Sequence, residues 1–406
     1  MTERNWGRLA CLLAGALLVT ACSQDGPQEA TPTVELGDAP GTDEEALADE
    51  GAEETAAEEA SAPQTVEEVL AAIAAMDLSE EERREYLYEK AVEEGEVLFY
   101  SSMNVQTNEA WAELFRGTYP EIDLQFVGLG RPADLLERIR AEARAGRHLV
   151  DVFQGATVGA VLEQEGFVAA HHGVPVPPGF PAQYVEDLGI LLTITPQVIA
   201  WNTNLVSSDE APRTFDDFLE PQHAGCVFSG GPTWVATMIV ERGYDGTEEW
   251  MQRFIENDGV VEIASTGGNT RNMAAGEFPC MVYAHTHTLE PMIVDDGAPL
   301  DWYAPDPTPA AAQRIYISQE ARHPHAAALY VHWVLSEQGA QVIADDSRIP
   351  LHPGIETSYE RLRGFSEPGS DLQQRLRPLR SDESLRVEEQ ALELIERYAL
   401  PSDETS

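Results

Sequence analysis

The sequence has almost no lysine and little positive charge of any kind. Lys90 is its only lysine, and 25 basic residues face 71 acidic ones in 406 residues, which gives a formal net charge of -46. A chain this acidic repels phosphate backbones, so nucleic acid is excluded as a partner. No lysine, arginine or aromatic residue lies between Arg8 and Arg83. A segment without these residues cannot bury enough apolar surface to fold, which predicts a disordered acidic stretch near the N-terminus.

The short motifs of common enzyme classes are also missing. The sequence contains no GxSxG nucleophile elbow, no HExxH metal motif, no phosphate-binding P-loop and no CxxC pair. The turns that carry its candidate binding residues lack the carboxylate pair that acid–base chemistry would need. We therefore expect that the protein is not an enzyme and that it needs no cofactor.

The first 22 residues have the features of an export signal. Arg4 and Arg8 precede an apolar run, residues 9–20, which is too short to span a bilayer as a helix. The run ends in small residues before Cys22, as in a bacterial lipobox, whose cysteine receives a lipid. An ordinary signal peptide followed by a chance cysteine is the alternative. We expect lipidation at Cys22 and a protein anchored at the cell membrane or outer membrane, with its domain in the periplasm or extracellular space.

From Gly95 onward, short apolar runs alternate with amphipathic stretches. Residues 97–100 are typical of a strand and residues 109–118 of a helix, and a second alternating set begins near residue 226. This pattern predicts an α/β fold with two lobes, a hinge and a cleft, each lobe being a mainly parallel sheet flanked by helices. The predicted segments are a signal peptide (1–21), a disordered acidic tether (22–64), lobe 1 with N-terminal helices (65–200), lobe 2 (201–299), a return to lobe 1 (300–355) and a C-terminal helical tail (356–406).

Several short motifs follow one another in order between about residue 80 and residue 355. The opening strand, Glu94–Ser102, reads EGEVLFYSS, and Ala200–Thr203 reads AWNT at the expected crossing between lobes. Further motifs are Tyr119-Pro120, Arg138–Gly146 with Val150–Val152, Asp217–Pro221 with Gly225, Ala275–Pro279, Gly297–Pro299, His323–Ala327 and Ser336–Gly339. Together they resemble the bacterial extracellular solute-binding proteins that serve ABC importers, in their ferric-iron-type branch.

This resemblance implies the type 2 periplasmic-binding-protein fold, in which two lobes close on a small-molecule solute about a hinge. It also implies an ABC permease as partner, together with a membrane contact through the N-terminal lipid, and we expect a monomer. A sensory or structural lipoprotein that reuses the fold is an alternative. Ferric iron or another metal ion is the alternative ligand. Iron-binding members present two adjacent tyrosines, where this chain has Tyr283 followed by Ala284 and His285, and a histidine where it has Asn104.

Ligands of parallel α/β sheets bind beyond the carboxyl ends of the strands, where helix N-termini favour anions. No Asp or Glu occurs in residues 100–108, 152–162, 264–276 or 278–289. In so acidic a chain this predicts a neutral-to-positive cleft and a small polar, anionic solute, although ordinary βα turns also tend to lack acids. The candidate ligand-binding residues are Ser101, Ser102, Gln154, Gly155, Trp201, Asn202, Thr233, Asn269, Thr270, Arg271, Tyr283, His285 and His287, with Arg131 as a second basic residue nearby.

For two pairs of residues the sequence allows more than one role. His285 and His287, two apart at a strand end, should face the same side and could ligate a metal, hydrogen-bond an anion or only line the cleft. No third metal ligand is identified. Cys226 and Cys280 fall on strands that we expect to be neighbours. In an oxidising compartment they could form a disulfide, and two buried free thiols are the alternative.

Overall fold

The computed structural model describes residues 64–129, 132–156, 158–229, 231–262 and 266–399. These residues belong to one compact unit. The predicted signal peptide, Cys22 and nearly all of the predicted tether lie outside the described residues, as does Arg131. None of the described helices is both long enough and apolar enough to cross a membrane.

Twelve strands form the described sheet, in the order β2-β1-β3-β10-β5-β8-β6-β7 with four strands off this path. β1, β2 and β3 pair in parallel, as do β6, β7 and β8. β5 and β10 pair antiparallel with each other, β5 also with β8, β9 and β11, and β10 also with β3 and β4. The α/β fold is therefore confirmed, but its sheet is mixed and not mainly parallel. The strands are β1 Glu96–Ser101, β2 Asp123–Gly128, β3 Val152–Gly155, β4 Val168–Ala169, β5 Ile190–Asn202, β6 Val227–Phe228, β7 Val260–Val261, β8 Cys280–His285, β9 Leu300–Tyr303, β10 Thr308–Ser318, β11 Ile349–Pro350 and β12 Leu376–Pro378.

Helices follow most strands and cover the sheet. Local sequence sets the start of the first two helices, because Thr65 and Ser79 form capping boxes. The hydroxyl oxygen of each accepts from the backbone N–H of a glutamate three residues later, and the carboxylate of that glutamate accepts from the backbone N–H of the capping residue. The described helices are α1 Val66–Ala75, α2 Glu80–Glu94, α3 Val105–Thr118, α4 Pro132–Arg144, α5 Val158–Gln164, α6 Pro232–Glu256, α7 Thr266–Ala275, α8 Thr286–Val294, α9 Pro324–Leu335, α10 Glu337–Asp345, α11 Glu360–Ser366, α12 Asp371–Arg375 and α13 Ser381–Tyr398.

Strand β5 runs through both parts of the sheet and divides it. Its first residues pair with β10, up to Pro196, and its last residues pair with β8 and β9, from Gln197 onward. All of its residues are buried, as expected for a strand packed on both faces. We call β1–β4 and β10–β12 with the start of β5 the first half, and β6–β9 with the end of β5 the second half. Each half has its own core: Phe99, Phe115 and Tyr330 pack in the first, and Trp201, Trp234 and Phe254 in the second.

The structure differs from the sequence reading at several elements. β10 was not predicted, because its Ala310–Ala312 segment has low strand propensity and only its pairing with β3 and β5 makes it a strand. Residues 324–345 form two helices and not one, because the extended backbone of Ser336 ends α9 and starts α10. The second half extends past residue 299, since β9 pairs with β5.

The C-terminal segment is more than the expected helical tail. Strand β12 pairs with β10 in the first half, while Arg377 binds Glu383 at the start of α13 and lies 3.6 Å from Glu241 of α6. The core of the second half includes Leu394 of α13. The segment therefore contacts both halves of the sheet.

The structure joins Cys226 and Cys280 in a disulfide with a Cα–Cα distance of 4.8 Å. The two cysteines stand at the starts of β6 and β8, which are parallel neighbours. The bridge therefore ties together the strand that leads into α6 and the strand that leads into α8.

Candidate functional site

A cleft of about 810 Å³ lies between residues of the two halves. It forms because β1 and β2 end on one side of it and β8 ends on the other, and carboxyl ends of parallel strands share one edge of a sheet. No Asp or Glu is among the described residues that line it. The lining consists of Ser102, Met103, Asn104, Val105, Gln106, Gly128 and Leu129 from the first half, Thr266, Gly267, His285, His287 and Thr288 from the second, and Arg348 from the turn before β11.

The wall contributed by the first half, which we call the first wall, consists of residues 102–106 with Gly128 and Leu129. Asn104 caps α3 there: its Oδ1 accepts from the Thr107 backbone N–H at 2.8 Å, and its Nδ2 donates to Asp346 at 2.7 Å. One of the free donors of this helix start is therefore already satisfied. Met103 and Val105 give the wall an apolar surface, and Val105 is 54% exposed.

Ser101 and Gln154 support the first wall from behind and do not line the cleft. The Oε1 of Gln154 accepts from the Ser102 backbone N–H at 3.2 Å and from the Ser101 hydroxyl at 3.2 Å. The Ser101 hydroxyl oxygen in turn accepts from the Met103 backbone N–H at 3.0 Å. Both side chains are fully buried. Ser101 and Gln154 thus fix the turn that presents Ser102 and Met103.

The opposite wall, which we call the second wall, consists of Thr266, Gly267, His285, His287 and Thr288, together with Arg348, which reaches the two histidines from the turn before β11. It is centred on the start of α8. The strand β8 ends at His285 and the helix begins at the next residue, with no side chain capping it. Among the described residues, no protein acceptor binds the first-turn N–H groups of His287 and Thr288. Uncapped N–H groups and the positive end of the helix dipole attract an anion. The second wall therefore offers free helix N–H donors, whereas the first wall has a capped helix start and combines polar side chains with the apolar Val105 and Leu129.

His285 and His287 stand side by side on the second wall. Their rings are stacked, with centroids 5.0 Å apart, although His287 already belongs to α8 and not to the strand. Burial, together with the positive charge of Arg348, lowers the pKa of His285 to about 3. The pKa of His287 is held well below its usual range by burial, by Arg348 and by His285. Both imidazoles are therefore neutral at pH 7.

Arg348 supplies the positive charge of the described lining, and sequence reasoning missed it. Its side chain is 13% exposed; Nε donates to Asp346 at 2.7 Å and Nη1 to Thr195 at 3.3 Å. These bonds fix the guanidinium plane while its remaining N–H groups stay available. It follows Asp345-Asp346 in sequence, far from every acid-free turn, so no local signal marks it. Only the return of the chain to β11, beside β5, brings it to the cleft.

Several predicted ligand residues lie in the second half without reaching the cleft. Arg271 is exposed on α7, and the buried Thr270 donates to the backbone of Thr266 at 2.8 Å. The buried Asn269 donates to the Ser229 hydroxyl at 3.0 Å. The physical reason is that α7 starts at Thr266 and not at residue 270, so these side chains sit in later positions of the helix. Thr266 and Gly267 line the cleft in their place.

Trp201 and Asn202 also serve the fold. Trp201 is fully buried, with the Arg213 guanidinium 4.9 Å from its ring centre, and Asn202 donates to the Met273 carbonyl at 2.7 Å. Gly155 pairs with Arg314 inside the sheet, and Thr233 borders a void of only about 20 Å³. A void of that size holds about one water molecule. Of the predicted set, Ser102, His285 and His287 line the cleft, and Tyr283 lies directly behind His285.

The described residues contain no group of three or more His, Cys, Asp or Glu side chains that could hold a metal ion. The two cleft histidines also differ in their hydrogen-bond partners. The Nε2 of His285 lies 2.6 Å from the Tyr283 hydroxyl, and the Nδ1 of His287 is buried without a described partner. A metal at this pair would need ligands from the solute or from solvent.

Comparison with known proteins gives a consistent picture of the fold. The profile of the family described as "Bacterial extracellular solute-binding protein" matches residues 150–372, more than half of the chain. This confirms the resemblance found in the sequence motifs. A sequence comparison with curated proteins finds no match.

Solved structures of periplasmic binding proteins are similar to this chain at low identity. Iron-bound HitA from Pseudomonas aeruginosa is 16% identical with a TM-score of 0.62, covering 75% of this chain and 99% of that one. IdiA (FutA) from Trichodesmium, in complex with iron and citrate, is 17% identical with a TM-score of 0.61 over 75% and 99%. AfuA from Actinobacillus pleuropneumoniae, with fructose-6-phosphate bound, is 20% identical with a TM-score of 0.57 over 74% and 99%. At these identities the likeness concerns the fold, which is the expected two-lobe type.

Proposed function

Because the chain belongs to the bacterial extracellular solute-binding protein family, we propose that it captures a small organic anion in the cleft and delivers it to the permease of an ABC importer. The observation that carries this proposal is the second wall. An uncapped helix N-terminus, neutral imidazoles and one arginine meet there, and no described lining residue is acidic. The helix N-terminus and the arginine favour negative charge, and each neutral imidazole can donate one hydrogen bond to an anion.

The free energies that these donors contribute are large enough to matter for specific binding. A hydrogen bond to a charged group contributes about 1.5–3 kcal/mol. A partly buried helix N-terminus adds up to about 2 kcal/mol. Micromolar affinity corresponds to about -8 kcal/mol, and two N–H groups of α8 with Arg348 would supply a large part of the contact energy that this requires. The donors are already fixed in place, so little conformational entropy is lost on binding.

The charge of the whole chain opposes an anionic solute only at long range. At physiological ionic strength the screening length is about 8 Å, so most of the acidic residues on the outer surface act weakly in the cleft. Short-range donors then decide the sign of the local potential. The absence of Asp and Glu from the described lining is what lets a chain with a net charge of -46 hold an anion.

Two of the similar structures hold ligands of this chemical class. One contains iron with citrate and the other contains fructose-6-phosphate, and both ligands present negatively charged oxygens. Iron without an organic ligand is the competing proposal, and the similar HitA structure is described as iron-bound. A hard trivalent cation prefers anionic oxygen ligands, and the described lining offers no carboxylate. These observations support the organic anion over the bare metal, and they support binding without catalysis.

We also propose that the protein is a lipoprotein, held at the membrane through Cys22 by a tether that ends near residue 64. The support is in the sequence: an apolar run of signal-peptide length, small residues before the cysteine, and a following segment of charged and small residues. Metabolic labelling with a fatty acid tests it. Label on the wild-type chain that is lost in Cys22→Ala supports the anchor, and equal labelling of both rules it out.

Native mass spectrometry of the intact chain, purified in mild detergent from the cells that make it, tests the solute class. We expect a retained mass that corresponds to an organic anion. A retained metal without an organic ligand would overturn the proposal. If the chain arrives empty, titration with phosphate, citrate and fructose 6-phosphate decides, and no binding of any of these at 1 mM, on the order of the weakest specific affinities, would also count against it.

A further inference from the structure

Tyr283 and His285 form a short hydrogen bond behind the second wall. They lie two apart on β8, so their side chains share one side of the sheet. The Tyr283 hydroxyl is 2.6 Å from the Nε2 of His285, and the rings meet edge to face at 5.0 Å. Tyr283 is buried, whereas His285 lines the cleft. The pair therefore connects a buried phenol to the surface that would meet the solute.

The direction of this hydrogen bond follows from the other partners of Tyr283. Gln197, which is the register partner of His285 on β5, directs its Nε2 toward the Tyr283 hydroxyl oxygen at 3.4 Å. Burial raises the pKa of Tyr283 far above its usual value, so the phenol keeps its proton. With the Gln197 amide already donating to its oxygen, its own proton goes to the nearest acceptor, the Nε2 of His285.

The neutral imidazole of His285 carries one proton, which can be on Nδ1 or on Nε2. When Nε2 accepts a hydrogen bond, Nδ1 must carry the N–H. Among the described residues, no protein group bonds to the Nδ1 of His285. That N–H is therefore available to a solute in the cleft, beside the first-turn N–H groups of α8.

We propose that Tyr283 is a specificity-determining residue, which holds His285 in the Nδ1-protonated tautomer so that the imidazole donates to an anion and offers no lone pair to a metal ion. The proposal rests on the proposed function and names the part of the second wall that selects the solute class. It explains how two neighbouring histidines can line a cleft without forming a metal site. To ligate a metal, His285 would have to lose either its Nδ1 proton or its bond to Tyr283.

The tautomer can be observed directly in the solute-free protein. We would label the intact chain with ¹⁵N-histidine and assign His285 by its loss in His285→Asn. At pH 7.5 we expect its Nδ1 to be protonated and its Nε2 to be the unprotonated acceptor. In Tyr283→Phe the signal should shift toward the Nε2-protonated form, which unconstrained histidine prefers. Tyr330→Phe is the matched control, because Tyr330 is equally buried and its hydroxyl has no described partner.

Metal and anion binding give the second readout. Tyr283→Phe should bind Zn²⁺ at least tenfold more tightly than the wild type and citrate about three- to tenfold more weakly, and Tyr330→Phe should change neither. A wild-type His285 protonated on Nε2, or equal Zn²⁺ affinity in all three proteins, would overturn the inference. That result together with a retained organic anion would remove only this inference. A retained metal in the wild type would remove the proposed function itself.

Discussion

The two walls of the cleft are built from the same unit, a parallel strand that runs into a helix, yet they differ in chemistry. On the first wall Asn104 caps α3, and Met103 and Val105 face the cleft. On the second wall α8 starts without a cap, and His285 with Arg348 faces the cleft. The difference shows that a helix N-terminus can bind a solute only where no capping residue of the protein already accepts from its N–H groups. We therefore place solute recognition on the second wall and the covering surface on the first.

The largest effect should come from the disulfide, which supports the second wall alone. Cys226 and Cys280 close a loop of 54 residues around β6, α6 and β7, and a loop of that length stabilises a protein by about 2–4 kcal/mol. We expect Cys226→Ala with Cys280→Ala to lower the free energy of unfolding by that amount, measured by urea denaturation. The reductant control should destabilise the wild type and leave the double variant unchanged. A wild type indifferent to reduction would show that the bridge does not form.

Removing the positive charge of the second wall should weaken anion binding strongly. Arg348→Gln should raise the Kd of the retained anion by about 10–100-fold, since tenfold corresponds to about 1.4 kcal/mol and a lost charged hydrogen bond costs more than that. Arg271→Gln removes the same charge from the exposed face of α7 and should change the Kd less than twofold. Isothermal titration measures both. Equal losses in the two variants would mean that net charge, and not the geometry of the second wall, controls affinity.

Acid should destabilise the second wall through its histidines. The pKa of His285 is about 3 in the folded protein against an ordinary 6.5, so the unfolded chain binds more protons between these values. The contribution of neutral His285 to the free energy of unfolding is therefore fully present above pH 6.5 and is lost as the pH falls toward 3. We expect the wild type to lose about 1–2 kcal/mol more than His285→Asn between pH 7.5 and 5, measured by urea denaturation. Parallel pH curves for the two proteins would contradict the burial of a neutral imidazole.

The smallest effect should come from adding charge to the first wall. Val105→Glu places a carboxylate at the first residue of α3, where it suits the helix dipole but faces the solute. We expect a Kd about three- to fivefold higher, with a melting temperature that is unchanged or slightly raised. Leu114→Glu, exposed in the middle of the same helix and outside the lining, is the control. A tighter complex in Val105→Glu would point to a cationic solute.

Most of the fold followed from the sequence because its signals are local. The caps of α1 and α2, the strand at residues 97–100 and the break near Gly243, where α6 departs from helical geometry, are all visible in the order of residues. β10 was not visible, because its alanines pack only through long-range pairing with β3 and β5. The helix predicted at residues 109–118 begins four residues earlier, at Val105, since Val, Thr and Asn are weak helix signals.

The residue at which a helix begins determines which side chains reach the cleft. Residues expected in turns, such as Thr270 and Arg271, belong to the second turn of α7, while Thr266 reaches the cleft. The acid-free stretches at residues 100–108, 264–276 and 278–289 do contain residues that line the cleft. Arg348 could not be found this way, because its place in the cleft depends on how the chain returns along β5 after α10.

A crystal structure of the intact chain with its retained solute tests the central claim most directly. We predict that an oxygen of the bound anion lies within about 2.7–3.2 Å of the first-turn N–H groups of α8, as hydrogen bonds require, with the Arg348 guanidinium as a second contact. The first wall should cover the carbon side of the solute. A solute held only by the first wall, or a metal ion seated on His285 and His287, would contradict the account.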